Sequence, residues 1–349
     1  WRRKTHRPRT PGRAGHTAEL RPRCEWLMAL FRRPEYQHDS RLPRRRRWRT
    51  VSNRRCLRNT FSRVSEVSRS VGIHTPDNPL SATRERLSIR PNKLRQLLDA
   101  GKPTLGTHVH TIWPNVVEVL ALTGCYDYVE FVAEYGAYDL HAFDDFCRAA
   151  ELHDLSTMIK VEQEPRSWIA SRAIGSGFQS VLFSDPRNVE DARECVSIAR
   201  PETPEDGGTY GVATRRFTYM AYGGSPAYVQ ALRDIVVVLM IEKNGAVEQL
   251  EEILAVPGVD MIQWGPADYS MSIGKAGQWG SPEVKAVEKR VIETALAAGV
   301  QPRAEIGSPD AAKYYQDLGV RHFCIGTDIN ILHDWWKENG DALRREVEG

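Results

Sequence analysis

The sequence has 349 residues, of which 41% are hydrophobic and 27% charged, values typical of a soluble globular protein. No uninterrupted apolar run approaches the roughly 20 residues that a membrane-spanning helix needs, so we expect no membrane partner. Six cysteines occur at positions 24, 56, 125, 147, 195 and 324 without a C-x-x-C pair. Their spacing excludes a zinc ribbon or a dithiol redox motif and favours reduced thiols in a cytoplasmic protein.

The net charge of +3 is unevenly distributed along the chain. Residues 1–75 contain 20 Arg, one Lys and five acidic residues, for a formal charge of +16, which leaves −13 on the remainder. Few apolar residues and no sustained periodicity indicate that residues 1–90 form an extension outside the packed core. Three interpretations stay open: a disordered tail or sequence foreign to the native product, an acid-poor targeting segment, or a nucleic-acid-binding arm. A basic run alone is a weak signal, so we do not expect nucleic acid as the partner.

From residue 91 onward, apolar runs alternate with amphipathic segments. A first helix is indicated by Leu94, Leu97 and Leu98 on one face, with Gly101 as its stop. The candidate strands are 104–109, 127–133, 156–161, 178–183, 235–242, 259–264, 301–306 and 321–326. The candidate helices between them are 114–123, 140–152, 167–175, 188–199, 246–256, 283–298 and 309–317.

Eight strands alternating with helices predict an α/β fold, and eight is the number that closes a (β/α)8 barrel over residues 91–349. The alternative is an open doubly wound sheet. The absence of a G-x-G-x-x-G motif after the first strand argues against a dinucleotide-binding sheet of that kind.

Two acidic residues follow neighbouring predicted strands. Glu242 ends one strand, the amphipathic segment 246–256 crosses over, and Asp268 follows the next strand. Consecutive parallel strands are neighbours, so both acids should meet at the carboxyl-terminal rim, where barrel enzymes hold their active sites. A divalent ion that prefers oxygen ligands, such as Mg²⁺, would pair them. The alternative is that Glu242 pairs with Lys243 or another base and Asp268 caps the following turn.

The stretch MIEKNGAVEQLEEILAVPGVDMIQWGPADYSMSIG, residues 240–274, resembles the signature of the HpcH/HpaI aldolase family. The similarity extends with decreasing strength from Thr104 to Trp336. It implies a (β/α)8 barrel that binds pyruvate on Mg²⁺, Mn²⁺ or Co²⁺, with Glu242 and Asp268 as the metal ligands. It also implies that backbone N–H groups around Gly265 and Ala267 bind the pyruvate carboxylate.

The resemblance implies a lyase that cleaves a 4-hydroxy-2-oxo acid to pyruvate, or a related 2-oxo acid, and an aldehyde. The ion would stabilise an enolate as a methyl proton leaves. Two alternatives stay open: a relative of changed chemistry, such as a decarboxylase or hydrolyase, and a non-catalytic binder of metal and carboxylate.

The chain departs from the family pattern at two positions of the predicted site. Members usually have an Asp-x-Glu-His stretch after the second strand, whereas this chain has VAEY, residues 132–135. The arginine that steadies the enolate oxygen is replaced by Lys160, which offers a point charge instead of a planar fork. A lysine at a barrel rim could also form a Schiff base with the keto acid.

Because the histidine of the family's Asp-x-Glu-His stretch is missing, several other residues are candidates for the catalytic site. His110 is a suitable proton acceptor near neutral pH, and His108, on the same strand end, is a candidate for substrate binding. The alternative is that either histidine is an ordinary polar residue at a strand end. Glu134 is a second candidate base, with the alternative of pairing with Lys160 or capping a helix. Tyr135 is a candidate for binding polar groups of the substrate, although loop tyrosines usually pack.

The last strand is followed by Asp328 and an amphipathic tail helix with Trp335 and Trp336. Asp328 either binds substrate at the rim or caps the next segment. In the family, the equivalent helix packs on a neighbouring subunit and hexamers are usual, so a homo-oligomer is expected. The alternative is packing on the helix's own barrel.

Overall fold

The computed structural model describes residues 90–214 and 223–349. These residues lie in the second of two units into which the chain divides, Asp77–Gly349. The expectations for the basic segment therefore fall almost entirely outside the described residues. Among the described helices, none combines the length and the apolar character needed to cross a membrane.

Eight parallel strands form a closed barrel in sequence order, which confirms the predicted (β/α)8 fold. Each predicted strand agrees with the observed one to within two residues at either end. The strands are β1 Thr104–Val109, β2 Tyr128–Val132, β3 Ser156–Val161, β4 Ser180–Phe183, β5 Val236–Ile241, β6 Met261–Trp264, β7 Gln301–Ile306 and β8 His322–Thr327.

Helices follow the strands around the outside of the barrel. They are α1 Lys93–Asp99, α2 Pro114–Leu122, α3 Leu140–Leu152, α4 Arg166–Ser176, α5 Val189–Ala199, α6 Pro226–Arg233, α7 Asn244–Glu248, α8 Leu250–Leu254, α9 Pro266–Ser272, α10 Pro282–Ala297, α11 Ala312–Asp317 and α12 Asp328–Glu348. A 3₁₀ turn at Pro309–Ala311 precedes α11.

The core has two layers because successive strand residues point to opposite faces. On β5, Val237, Leu239 and Ile241 belong to the outer cluster between sheet and helices. Val236 and Val238 belong instead to a second apolar cluster inside the barrel, with residues of β2, β3, β4 and β6.

The other side of the barrel interior is polar. Arg303 of β7 and Glu130 of β2 form a fully buried ion pair there, and Arg303 also lies over the ring of Tyr128. The interior therefore has an apolar side around β5 and a polar side around β7 and β2.

The amino-terminal end of the barrel is closed by α1. Asn92 caps this helix and its amide nitrogen donates to the carbonyls of Gln179 and Asp234, at 2.8 and 2.9 Å. The opposite, carboxyl-terminal end remains open, which places the strand-end acids at an accessible mouth.

The final helix, α12, has only one buried residue, Asp328. Seven of its large apolar side chains are exposed: Ile329, Ile331, Leu332, Trp335, Trp336, Leu343 and Val347. Packing of this helix along its own barrel, the alternative left open by the sequence, is therefore not what the structure shows.

Candidate active site

A cavity of about 410 Å³ opens at the carboxyl-terminal end of the barrel. Eight of the nine site residues predicted from the sequence line it: His108, His110, Tyr135, Lys160, Glu242, Gly265, Ala267 and Asp268. The ninth, Glu134, contacts the cavity through its partner Lys160. The structure thus brings the predicted residues of five strands and their loops to one mouth.

Glu242 follows directly on β5, and its side chain is buried, with 3% exposed. One carboxylate oxygen accepts a hydrogen bond from the backbone N–H of Asp185 at 3.0 Å. Burial raises the pKa of Glu242 to about 7, and the ammonium of Lys160 only partly opposes this. The buried carboxyl group therefore lacks a full counter-charge among the side chains around it.

Asp268 lies in the first turn of α9, and its Oδ1 is 2.7 Å from Nζ of Lys243. The same ammonium lies 2.7 Å from Oδ1 of Asp185. The sequence left open a pairing of Glu242 with Lys243, but the structure pairs Lys243 with Asp185 and Asp268 instead. A continuous set of contacts through Asp185 and Lys243 thus links the two predicted metal ligands.

Gly265 creates the space in which the carboxylate of Glu242 lies. A Cβ atom at this position would lie 2.4 Å from Oε2 of Glu242 and 2.7 Å from its Cβ. The N–H of Gly265 donates to the carbonyl of Ile241 at 3.1 Å. This amide is therefore used by the barrel, which corrects its assignment as a carboxylate donor. The Ala267 amide lies in the first turn of α9, where helix geometry provides no intrahelical partner.

The donor set around Glu242 fits an oxygen-preferring divalent ion. Asp185, Glu242 and Asp268 offer carboxylate oxygens, and the carboxylate of Glu242 occupies the space next to Gly265. Over residues 90–214 and 223–349, no three His, Cys, Asp or Glu side chains are arranged to hold an ion by themselves. Two carboxylates can suffice for Mg²⁺, which commonly takes one or two and completes its shell with waters and substrate oxygens.

Lys160, at the end of β3, forms an ion pair with Glu134 at 2.7 Å. Burial alone would lower the lysine pKa, but the charge of Glu134, with Tyr135 and Glu242, outweighs burial and raises it. The Tyr135 hydroxyl lies 3.4 Å from Nζ, although the Tyr135 residue is 61% exposed. The amine therefore stays protonated, which disfavours the Schiff-base alternative, and Glu134 is held as its ion partner.

The two histidines of β1 and its loop lie together, with ring centroids 5.7 Å apart. Burial, followed by the neighbouring His108, lowers the pKa of His110, so its imidazole is neutral at pH 7. His108 has both ring nitrogens beside other side chains, Nε2 with the Thr327 hydroxyl and Nδ1 3.6 Å from Glu305.

Asp328 acts as a cap and not as a group that faces the cavity. Its two carboxylate oxygens accept hydrogen bonds from the backbone N–H groups of His110 and Thr111, at 2.9 and 3.0 Å. The structure therefore supports the structural alternative for this residue. It also shows that α12 and the His110 loop are joined by one side chain.

Sequence reasoning missed several polar residues in or near the cavity, among them Asp185, Gln263 and Glu305. Asp185 lies two residues after the end of β4, so the strand-end rule applied to Glu242 would have found it. Glu305 is two residues after Arg303 on β7. Alternate residues of a strand point to the same face, so both side chains lie inside the barrel. No comparable signal marks Gln263, which lies within an apolar strand.

Comparison with known proteins agrees with this geometry. The chain is 28% identical over 260 residues to the 5-keto-4-deoxy-D-glucarate aldolase of Enterobacter sp. (strain 638), covering 74% of this chain and 98% of that protein. It is 28% identical over 243 residues to the hydroxypyruvate/pyruvate aldolase of Agrobacterium fabrum, covering 68% and 88%.

A solved structure shows the same fold. An HpcH/HpaI aldolase/citrate lyase family protein from Burkholderia cenocepacia J2315 superposes with a TM-score of 0.64 at 27% identity, covering 72% of this chain and 99% of that one. Residues 125–312, more than half of the chain, match the family described as HpcH/HpaI aldolase/citrate lyase. The chain therefore belongs to the HpcH/HpaI aldolase/citrate lyase family.

Proposed function

We propose that the protein is a metal-dependent carbon–carbon lyase. It would cleave a 4-hydroxy-2-oxo acid to pyruvate, or a related 2-oxo acid, and an aldehyde. The observation on which this proposal depends is the position of Glu242 and Asp268, which follow adjacent strands and line the same cavity as the protonated Lys160. The names of the two similar aldolases are consistent with a 2-oxo acid as substrate or product.

In this proposal, Glu242 and Asp268 hold a divalent ion, Mg²⁺, Mn²⁺ or Co²⁺. When bound, the ion would supply positive charge next to the 2-oxo group and so favour an enolate. The buried carboxyl of Glu242 is suited to this role, because a cation would offset the cost of ionising it in the barrel.

Lys160 would donate a hydrogen bond to the developing oxyanion. Its ammonium is held by Glu134 at 2.7 Å, so the charge is fixed in position before the reaction begins. Tyr135 would help to orient the same ammonium through its hydroxyl and ring. The Ala267 amide would bind the substrate carboxylate in the first turn of α9.

In cleavage, His110 would accept the proton of the C4 hydroxyl as the C3–C4 bond breaks and return a proton to C3 of the enolate; in the reverse direction it would accept the proton that leaves the methyl carbon of pyruvate. Its imidazole is neutral at pH 7, is half-buried and lies against the ring of Tyr135, with centroids 5.5 Å apart. His108, below it on β1, would hold the substrate by hydrogen bonding.

The test is exchange of pyruvate methyl protons into D₂O, followed by NMR with Mg²⁺ and with EDTA. This assay needs no aldehyde, so it reports enolate formation whatever the second substrate is. We expect exchange that EDTA abolishes and that Glu242→Gln reduces at least a hundredfold. Glu251→Gln, the same change at an exposed glutamate of α8, should leave the rate unchanged.

The outcomes separate the competing functions. Exchange without cleavage of any 4-hydroxy-2-oxo acid would favour the relative of changed chemistry. Absence of exchange in the wild-type protein with Mg²⁺, Mn²⁺ and Co²⁺ would contradict the enzyme proposal and favour a binder of metal and carboxylate.

A further inference from the structure

We propose that the side of the cavity formed by β6, β7, β8 and β1 binds the aldehyde and selects a neutral, hydroxyl-bearing aldehyde over one that bears a carboxylate. His108, Gln263, Glu305 and Thr327 form this side, called the polar wall below. The inference rests on the proposed function, because it concerns the second substrate of that reaction.

The barrel topology places the His108 end of the polar wall opposite Glu242 and its Gln263 end on β6, the neighbour of β5. In a closed barrel of eight strands in sequence order, β1 is four strands away from β5 in both directions. His108 of β1 therefore lies across the mouth from Glu242, which follows β5. Thr327 of β8 and Glu305 of β7 adjoin His108, and Gln263 of β6 extends the wall back towards Gly265.

Contacts between its members hold the polar wall together. Gln263 donates from Nε2 to Oε2 of Glu305 at 2.9 Å, and Oε1 of Glu305 lies 3.6 Å from Nδ1 of His108. The other ring nitrogen of His108 is hydrogen-bonded with Thr327. The Glu305 side chain is nevertheless 45% exposed, so it is fixed by its neighbours and still accessible to a ligand.

Gln263 supplies an acceptor that lacks a partner. The residue is 3% exposed and lines the cavity, and its Oε1 has no hydrogen-bond partner among the described residues. A carboxylate only accepts hydrogen bonds, so the amide nitrogen of Gln263 must face Glu305 and the oxygen is left over. A buried acceptor without a donor is costly, and a ligand hydroxyl would satisfy it.

The charges of the cavity disfavour a second carboxylate ligand. Its two cationic side chains in the described part of the chain, Lys160 and Arg303, are already paired with Glu134 and Glu130. An aldehyde with a carboxylate would therefore meet Glu305, whereas Arg303, whose Nε has no hydrogen-bond partner among the described residues, is fully buried and already balanced by Glu130. Like charges held close together repel, so such an aldehyde should react more slowly.

The test compares aldehydes in the aldol direction with pyruvate and Mg²⁺. Glyceraldehyde and propanal share a three-carbon chain and differ in hydroxyl groups, whereas succinate semialdehyde and butanal share a four-carbon chain and differ in the carboxylate. For the wild-type protein we expect kcat/KM to be at least about tenfold higher for glyceraldehyde than for propanal. It should be at least about tenfold lower for succinate semialdehyde than for butanal.

Two variants assign these preferences to the polar wall. Glu305→Gln keeps an acceptor for Gln263 but removes the charge, and should raise kcat/KM for succinate semialdehyde relative to butanal at least tenfold. Gln263→Leu should remove most of the preference for glyceraldehyde over propanal. Glu293→Gln, at an exposed position of α10, should change neither ratio.

The exchange assay distinguishes failure of this inference from failure of the proposed function, because it contains no aldehyde. If pyruvate exchange occurs and Glu305→Gln leaves the succinate semialdehyde to butanal ratio unchanged, the polar wall does not select against carboxylates. Exchange without condensation with any of the four aldehydes would also overturn the inference. Loss of exchange in the wild-type protein would instead refute the proposed function.

Discussion

Gly265 occupies a position where a single methyl group would reach Glu242. We expect Gly265→Ala to displace the Glu242 carboxylate, because the added Cβ would lie 2.4 Å from its Oε2 and 2.7 Å from its Cβ. Overpacking of this kind typically costs about 1–3 kcal/mol of stability. The variant should bind Mn²⁺ at least about tenfold more weakly, as measured by calorimetry.

Gly280→Ala is the matched control for this change, since a Cβ at Gly280 would meet nothing within 4 Å. It should bind Mn²⁺ like the wild-type protein. Unchanged Mn²⁺ affinity in Gly265→Ala would show that the carboxylate of Glu242 does not need the space beside this glycine to hold an ion.

Variants of Lys160 test whether this residue stabilises the oxyanion by its charge or forms a covalent bond with the substrate. Removing one such donor usually costs about 10²–10³ in rate, so we expect Lys160→Met to slow pyruvate proton exchange by that factor. Lys160→Arg should retain more activity, because it keeps the charge. Borohydride with pyruvate and no metal should leave the protein mass unchanged, and a mass increase on Lys160 would contradict our assignment.

The sequence was sufficient for some site residues and not for others. Glu242 and Asp268 were predictable because strand ends define the mouth of a barrel, and any acid there faces the same space. The pairing of Lys243 with Asp185 and Asp268 was not predictable, because it depends on the loop after β4, which brings Asp185 beside it. The use of the Gly265 amide by the barrel follows from the register of β5 and β6, which a single sequence does not reveal.

Among the elements, β8 begins with a buried histidine, His322, whose Nδ1 lies 3.0 Å from the Thr104 hydroxyl of β1. Burial, with a contribution from Arg321, lowers the pKa of His322 to about 4 from its usual 6.5. Between these values the unfolded chain binds a proton that the folded protein does not, so stability falls as pH falls from 6.5 to 4. At about 1.4 kcal/mol per pH unit, this amounts to at most about 3 kcal/mol.

His322→Gln should therefore lose less stability on acidification than the wild-type protein. Thermal unfolding followed by circular dichroism between pH 7 and 4.5 measures the difference in slope. His153→Gln, at an exposed helix end, should keep the wild-type slope. If the stability of His322→Gln and of the wild-type protein falls equally with pH, the His322 imidazole does not couple stability to pH.

Strands were predicted more accurately than helices, for reasons visible in particular elements. The run 246–256 has one continuous apolar face, yet the structure breaks it into α7 and α8 at Gln249. The side chain of Gln249 accepts a hydrogen bond from the backbone N–H of Val189 at 3.1 Å. This tertiary contact involves a residue 60 positions away, which local periodicity does not report. Helices α6 and α9 are short, and their Pro-led starts resemble turns in the sequence.

At the scale of the whole molecule, the alternation of eight strands and helices was enough to predict closure of the barrel. The exposed surface of α12 was not predictable in the same way, because an amphipathic pattern does not say which surface it packs on. The resemblance to the family, and not the pattern, suggested a neighbouring subunit.

We propose that α12 packs on another copy of this chain, because its apolar side chains are otherwise exposed to water. Trp335 and Trp336 are 62% and 63% exposed, and patches of this kind usually mark interfaces. Light scattering after gel filtration should give an oligomer for the wild-type protein and a smaller species for Trp335→Ser/Trp336→Ser. Lys337→Ser, on the same helix, should not change the mass, and a wild-type monomer would contradict the proposal.

Asp328 belongs to two parts of the molecule at once. It begins α12, and its carboxylate fixes the backbone of His110 and Thr111. A contact that holds α12 in place would therefore also restrain His110, the residue proposed to accept the proton. If α12 packs on another copy as proposed, dilution that separates the copies should slow turnover before the barrel unfolds. The isolated chain would then be folded but less active.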